Sequence, residues 1–495
     1  MPFAARMLLL FGLVIATVGA AAPRPEPLAV LLARMRARSG PVWSAHLHSV
    51  SQLIEGSRAV DLNSQSQGVR VASYQCAGRL CDGTYFDGER TLSIDINGTA
   101  LPDVNGADPY LRAERTVASL TFLTPDFTAQ GGRIFDDGIT LISGAPYRTL
   151  LVASGDAVPM LVYVDPKTAT VRYLRDINGD ETFEYRDYAA VGQRFWLPYE
   201  VLRNGQLLEH YRSRDVAAGP FSPPHGPAAT FANGPVAVAT DPEQTIPVFA
   251  CTIDGIAARC LLDSGNSGLS LSLSLAERLD LPTLGSFRVR GLGDYATEVV
   301  RAGPLQIGGM TFAPADYVVL HDIDRFGYDV VLGADMFAAT TIQLDQAQHR
   351  VVFGAPLPPG GISVPLEFED FVPVLDVHLG ALPAQLALDT GDESSINLDY
   401  DFYQAHHDLF SATSERAVSG VGGSSVELLG TIAHVQIGDL SITSPAIGTT
   451  RVLQGTAYGH VGSGLLSRYD VTIDYAAGEL HFVAPAPTPS PRPTP

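Results

Sequence analysis

At 495 residues the chain is too long for one core, and a prior of one domain per ~150 residues gives about three. A composition of 46% hydrophobic and 17% charged residues is that of a globular protein and argues against global disorder. A formal charge of −21 argues against nucleic acid or an anionic membrane surface as partner.

Residues 1–22 read as a secretory signal peptide. Arg6 supplies the positive start, residues 7–16 the apolar run, and Val18-Gly19-Ala20-Ala21-Ala22 the small-residue cleavage site. The apolar run is short for a membrane span, so cleavage is expected, and with it a soluble periplasmic or secreted protein. Export makes disulfides permissible for the four cysteines. Cys76 and Cys81 are close in sequence, as are Cys251 and Cys260. The latter pair flanks Asp254-Gly255, a hairpin turn signal, and with a four-residue loop the two would face each other across the strands. Neither pair has the companions of a zinc site.

From residue 23 to about 225 the pattern is short strands broken by turn residues. A first helix is expected over 27–38, with Leu28, Val30, Leu31, Leu32 and Met35 as its apolar stripe. Strand-like runs follow over 42–50, 69–73, 84–94, 148–153, 160–164 and 171–174. Turns are expected at Asp87, Asn97, Asp137, Asp165 and Asn178. An antiparallel sheet curling over a helix fits this pattern. His46 and His48 share a strand face but have no third ligand, and Asp176-Ile177-Asn178-Gly179-Asp180 lacks calcium-loop spacing and reads as a hairpin turn. The stretch from Pro159 to Arg172, with Phe195-Trp196-Leu197-Pro198, resembles the periplasmic lipoprotein-carrier fold. That resemblance implies an open half-barrel able to take a lipid or lipoprotein ligand; a filled scaffolding domain is the plainer reading.

Residues 217–235, rich in Pro, Gly and Ala, form the best domain boundary. Beyond it the chain repeats. Leu261-Leu262-Asp263-Ser264-Gly265 returns as Ala387-Leu388-Asp389-Thr390-Gly391, with the aspartates 126 residues apart at 263 and 389. Leu305-Gln306-Ile307-Gly308 returns as Val435-Gln436-Ile437-Gly438, and Val331-Leu332-Gly333 as His460-Val461-Gly462. Offsets that drift by a few residues while the order holds indicate an internal duplication, over 236–356 and 362–483. Each motif is followed by a short helix, the first stopped by Pro282 and the second capped by Asp399; the remainder reads as strand. Residues 484–495 should be a disordered Pro-rich tail.

Over about half its length, roughly 236–483, the chain resembles the retropepsin-like aspartic proteases, including bacterial periplasmic members. The resemblance rests on apolar-apolar-Asp-Ser/Thr-Gly, a Gly-rich hairpin (Gly291-Leu292-Gly293 and Gly420-Val421-Gly422-Gly423), and an apolar-apolar-Gly segment in each half. It implies a mainly β protein: two tandem acid-protease β-barrel halves forming a pseudo-dimer, preceded by the curved antiparallel half-barrel with its helix. It further implies an aspartic endopeptidase, a monomer with an intramolecular pseudo-dimer, acting on a peptide or protein substrate without metal or other cofactor. Asp263 and Asp389 would share a proton, one ionised to activate water and the other protonated to polarise the scissile carbonyl. Gly265 and Gly391 would let the motif loops approach. Ser264 and Thr390 would hydrogen-bond across, and the hairpins at Gly291, Gly293, Gly420 and Gly422 would close over substrate. The rival reading is a non-catalytic peptide- or lipoprotein-binding protein on a degenerate protease pair. Two departures stand out. Asn266 and Asp392 follow the glycines where the family carries a small residue, and His460 replaces an apolar residue. Asp392 is expected to tune the working pH, point to solvent or mark a lost activity; His460 is expected to be a core histidine satisfied by hydrogen bonds.

Overall fold

The computed structural model describes residues 25–484 except 45–46, 56–57, 68, 77–78, 87–90, 105–116, 118–119, 156–157, 180, 217–224, 290–292, 294 and 451–457. The signal peptide, almost all of the Pro-rich tail, the turn at Asp87 and His46 therefore lie outside the described residues.

Among the described residues, the N-terminal part holds a thirteen-stranded antiparallel sheet and the helix Leu28–Ser39. Leu31, Met35 and Ser39, spaced by four, form the helix's buried line, and Val30, expected in the stripe, is exposed. Leu31 and Met35 pack with Leu150, Val162 and Leu174 of the sheet. The expected run 42–50 divides into a 3-10 turn, Val42–Ser44, and a strand, Leu47–Glu55; the run 84–94 divides into the strands Arg79–Phe86 and Thr91–Ile94. Asp137 does not turn the chain. It is the extra residue of a bulge inside the strand Arg133–Ile142, where Asp136 opposes Leu150 and Gly138, at φ 84°, opposes Thr149. Asp176–Gly179 does form a hairpin turn, Gly179 N–H donating to the Asp176 carbonyl at 3.2 Å. The sheet holds a recess lined by Val171, Phe183, Tyr185 and Val201 together with Glu209 and Arg214.

One hairpin of this sheet reaches the rest of the molecule. The strands Thr91–Ile94 and Ala100–Pro102 carry a tip whose Ile96 packs against Val289, Leu320 and Ile323, while Leu101 joins the main C-terminal core. Asp95, within the tip, accepts from Asn97 N–H at 2.9 Å and Thr99 N–H at 2.7 Å. Asn97 Nδ2 donates to Asp335 at 3.0 Å, and the Thr99 hydroxyl donates to the same carboxylate. Asp95 Oδ2 is buried with no hydrogen-bond partner. Burial, then the charge of Asp335, pushes the Asp95 carboxyl well above the usual carboxylate range.

The C-terminal part builds two ten-stranded sheets and a six-stranded one. Ala229–Phe231, inside the stretch read as a linker, is an edge strand against Met310–Phe312. In each ten-stranded sheet the strand ending at the motif aspartate runs parallel to an apolar-apolar-Gly strand. Leu262 pairs with Leu332 in one sheet and Leu388 with Val461 in the other. The six-stranded sheet runs Val236–Ala239, Arg350–Phe353, Ile342–Asp345, Asp470–Asp474, Glu479–Val483, Ile362–Pro365. Its centre is the antiparallel pairing of Leu344 with Val471 and Ile342 with Ile473, so three strands come from each side of residue 356. One continuous core spans both segments, including Leu262, Phe337, Leu388, Leu466 and Ile473.

Two further helices break the expectation that the remainder is strand. Ala334–Ala339 and Ser463–Leu466 each begin directly after the glycine of an apolar-apolar-Gly segment. The hairpin Val248–Ile253/Ile256–Leu262 turns in two residues, Asp254 and Gly255, at φ 48° and 78°, rather than through a four-residue loop. Cys251 therefore opposes Ala258 and Phe249 opposes Cys260, and the disulfide crosses diagonally with the Cα atoms 6.0 Å apart. Cys76 ends one strand and Cys81 lies in the next; their side chains lie outside the described residues.

Candidate active site

The strands Ile256–Leu262 and Leu382–Asp389 deliver the two motifs to one point, although their sheets are separate. The contact is reciprocal. Ser264 N–H donates to Thr390 Oγ1 at 3.0 Å, and Thr390 N–H to Ser264 Oγ at 3.1 Å. Each hydroxyl then donates onward across the contact, Ser264 to the Leu388 carbonyl at 2.7 Å and Thr390 to the Leu262 carbonyl at 2.8 Å. Both side chains are fully buried. Short hydroxyl residues are required here, because each must accept from one backbone and donate to another.

The glycines follow the same symmetry. A β-carbon on Gly265 would lie 2.6 Å from Cγ of Asp389, and one on Gly391 would lie 2.5 Å from Cγ of Asp263. Each carboxyl thus occupies the space a side chain would take on the opposite motif. Within its own loop, Asp263 Oδ1 accepts from Gly265 N–H and Asp389 Oδ1 from Gly391 N–H, both at 2.9 Å.

The apolar-apolar-Gly segments thread behind these loops. A β-carbon on Gly333 would meet the Asn266 carbonyl oxygen at 2.1 Å, and one on Gly462 the Ser394 carbonyl oxygen at 2.3 Å. Ala334 N–H donates to the Asn266 carbonyl at 3.0 Å; Ser463 N–H donates to that of Asp392 at 2.7 Å. Below lies Tyr475, buried, stacked on Phe337 at 5.1 Å and edge-on to Phe368 at 4.7 Å. Burial, then the charges of Asp263 and Asp389, pushes its phenol up.

Two hairpins close the other side, Thr283–Val289/Tyr295–Ala302 and Phe410–Gly420/Gly423–Ile432. Their tips touch: a β-carbon on Gly293 would lie 2.3 Å from the Gly422 carbonyl oxygen. Arg325 Nη2 donates to the Gly420 carbonyl at 3.1 Å. Val421 packs in the cluster of Val289, Leu320 and Val331. Gly291 lies outside the described residues.

The carboxyls are not equivalent. Burial first, then the charge and hydrogen bond of Asp389, holds Asp263 well above the usual carboxylate range. Burial would raise Asp389 as well, but the hydrogen bond and charge of His460 outweigh it and leave Asp389 below its ordinary value. His460 is therefore not a core histidine satisfied by hydrogen bonds. Its Nδ1 lies 3.2 Å from Asp389 Oδ2 and 3.3 Å from Asp392 Oδ2, and its Nε2 is buried without a partner. Asp392 turns toward this imidazole, its carboxylate also accepting from Ser394 N–H at 2.8 Å and from the Ser394 hydroxyl.

The arrangement can hold one proton between two facing carboxyls, with a third carboxylate and an imidazole on one side only. No curated protein matches the chain. Residues 249–336 match the family model described as aspartyl protease, a span that holds Asp263, Ser264, Gly265 and the Val331-Leu332-Gly333 segment and ends before Asp389.

Proposed function

We infer that the chain is an aspartic endopeptidase whose two motifs, one from each of two tandem copies, make a single pseudo-symmetric site. The observation that carries this reading is the reciprocal approach, in which each carboxyl lies over the other motif's glycine and each hydroxyl serves both backbones. Two facing, partly buried carboxyls cannot both ionise at low cost, so one retains a proton. The ionised member takes a proton from a water while the protonated member hydrogen-bonds the scissile carbonyl. An extended peptide would bind in strand form between the hairpin tips and the dyad, which requires Gly293 and Gly422 to part. In this reading the protein works outside the cytoplasm, where the Cys251–Cys260 disulfide is stable.

The test is cleavage of a peptide library by the mature protein, by Asp263→Asn and by Asp389→Asn, with and without a transition-state mimic of the peptide bond. A single site predicts that either substitution abolishes cleavage. Partial activity in both variants with altered specificity would mean two separate sites. No cleavage by the wild type from pH 3 to 8 would favour a binding protein. The recess, lined by apolar residues with Glu209 and Arg214, supports a subordinate reading for the N-terminal half-barrel, capture of an apolar chain. Titration with a fluorescent fatty acid tests it.

A further inference from the structure

The two halves differ at a pair of matched positions. Val331 pairs with Leu261 two residues before Asp263, and His460 pairs with Ala387 two residues before Asp389. Val331 is buried among Val289, Leu320 and Ile323, as a space-filling residue should be. In the loops, Asn266 stands where the other half has Asp392, and its amide turns to the Gly268 carbonyl at 3.1 Å. One half is thus neutral at both positions, and the other carries an imidazole and a carboxylate that face each other.

Two carboxylate oxygens converge on the same imidazole nitrogen, at 3.2 Å and 3.3 Å. The ionisable groups facing His460 are Asp389 and Asp392, with Asp263 across the dyad. On the neighbouring strand Asn397 opposes it, its amide turned 3.4 Å from Glu427, whose charge is taken by Arg416. Burial opposes a charge on the imidazole, but the hydrogen bond to Asp389 and the surrounding carboxylates outweigh it, and His460 stays protonated to about pH 8.

We propose that His460, held by Asp392, is a positioning residue that fixes the division of labour in the dyad: its cation keeps Asp389 ionised, so Asp389 is the base and Asp263 the acid. This rests on the endopeptidase reading. Asp389 takes a proton from water as the oxygen bonds to the carbonyl carbon, and Asp263 gives its proton to the carbonyl oxygen. In the collapse Asp389 returns its proton to the leaving nitrogen as the C–N bond breaks, and Asp263 recovers one from the hydroxyl, restoring the starting state.

The experiment is kcat/KM against pH on one peptide for the full mature chain, His460→Val, His460→Gln and Asp392→Asn, together with aspartate 13Cγ titrations of each. A neighbouring cation lowers a carboxylate by about 1–3 units. Its removal in His460→Val should therefore move the acidic limb up by about 1–3 pH units and the basic limb by less. His460→Gln, which keeps an N–H but no charge, should move the acidic limb in the same direction, whereas Asp392→Asn, which leaves the cation and removes a negative charge beside Asp389, should move it by less and downward. The 13Cγ titrations of Asp263 and Asp389 should be well separated in the wild type and converge in His460→Val, a readout that survives loss of activity. Unmoved limbs with unchanged 13Cγ separation would overturn the proposal while leaving the protease intact. A wild type that cleaves nothing would remove the endopeptidase reading and this assignment with it.

Discussion

Replacing Thr390 by alanine probes the reciprocal contact between the two motifs. The change removes the acceptor of the Ser264 N–H at 3.0 Å and the donor to the Leu262 carbonyl at 2.8 Å, both buried. Two backbone groups therefore lose these partners. A stranded buried polar group costs about 1–3 kcal/mol, so the two together cost about 2–6 kcal/mol. Thr390→Ser keeps both hydrogen bonds and loses one methyl, about 0.8 kcal/mol of burial. The assay is urea unfolding of the three proteins alongside kcat/KM. The alanine variant should lose most of its activity, because loops that drift by ~1 Å misplace the carboxyls and cost about a hundredfold. If Thr390→Ala unfolds within 1 kcal/mol of Thr390→Ser and cleaves as fast, the crossed hydroxyls do not hold the site.

Gly265→Ala would set a methyl carbon 2.6 Å from the Asp389 carboxyl carbon, and kcat/KM should fall by about a hundredfold or more in a protein that still folds, as checked by circular dichroism. Asp95→Asn tests the second buried acid pair. Because the folded carboxyl lies above its unfolded value, its stabilisation is present below about pH 4 and is lost as pH rises. The amide should therefore raise stability by about 1–3 kcal/mol at pH 7.5 and confer no gain at pH 4, and calorimetry at both values checks it; an equal gain at each would refute the titration. Double replacement of Cys251 and Cys260 by serine should cost about 2–3 kcal/mol from loop-closure entropy over a sequence separation of 9, read as a lower urea midpoint.

What the sequence made legible was whatever is local or repeated. Asp254-Gly255 turns a hairpin, Asp399 caps its helix by accepting from Asp401 and Phe402 N–H, and the doubled Asp-Ser/Thr-Gly stands out by its echo. The strand Arg58–Gln67 escaped because its polar run, Asn63-Ser64-Gln65-Ser66-Gln67, carries no alternation of apolar residues. Asp137-Gly138 escaped because the dipeptide that makes a tight turn also makes a bulge, and only the partner strand decides between them. His460 was the costliest miss. Its placement beside the dyad depends on a parallel register with Ala387, 73 positions earlier, and its second contact on Asp392 turning inward, neither of which leaves a mark in local pattern.

The six-stranded sheet binds the two motif-bearing segments by its central pairing of Leu344 with Val471, and the peptide chain joins them through residues 354–361. That union changes what mutation can do. In an assembly of two identical chains, every substitution near the site arrives twice, and a histidine beside one carboxyl would be matched by a histidine beside the other. The carboxyls would stay equal. Here a single codon can alter one side alone, so the joined chain can reach lopsided sites closed to a pair of identical chains.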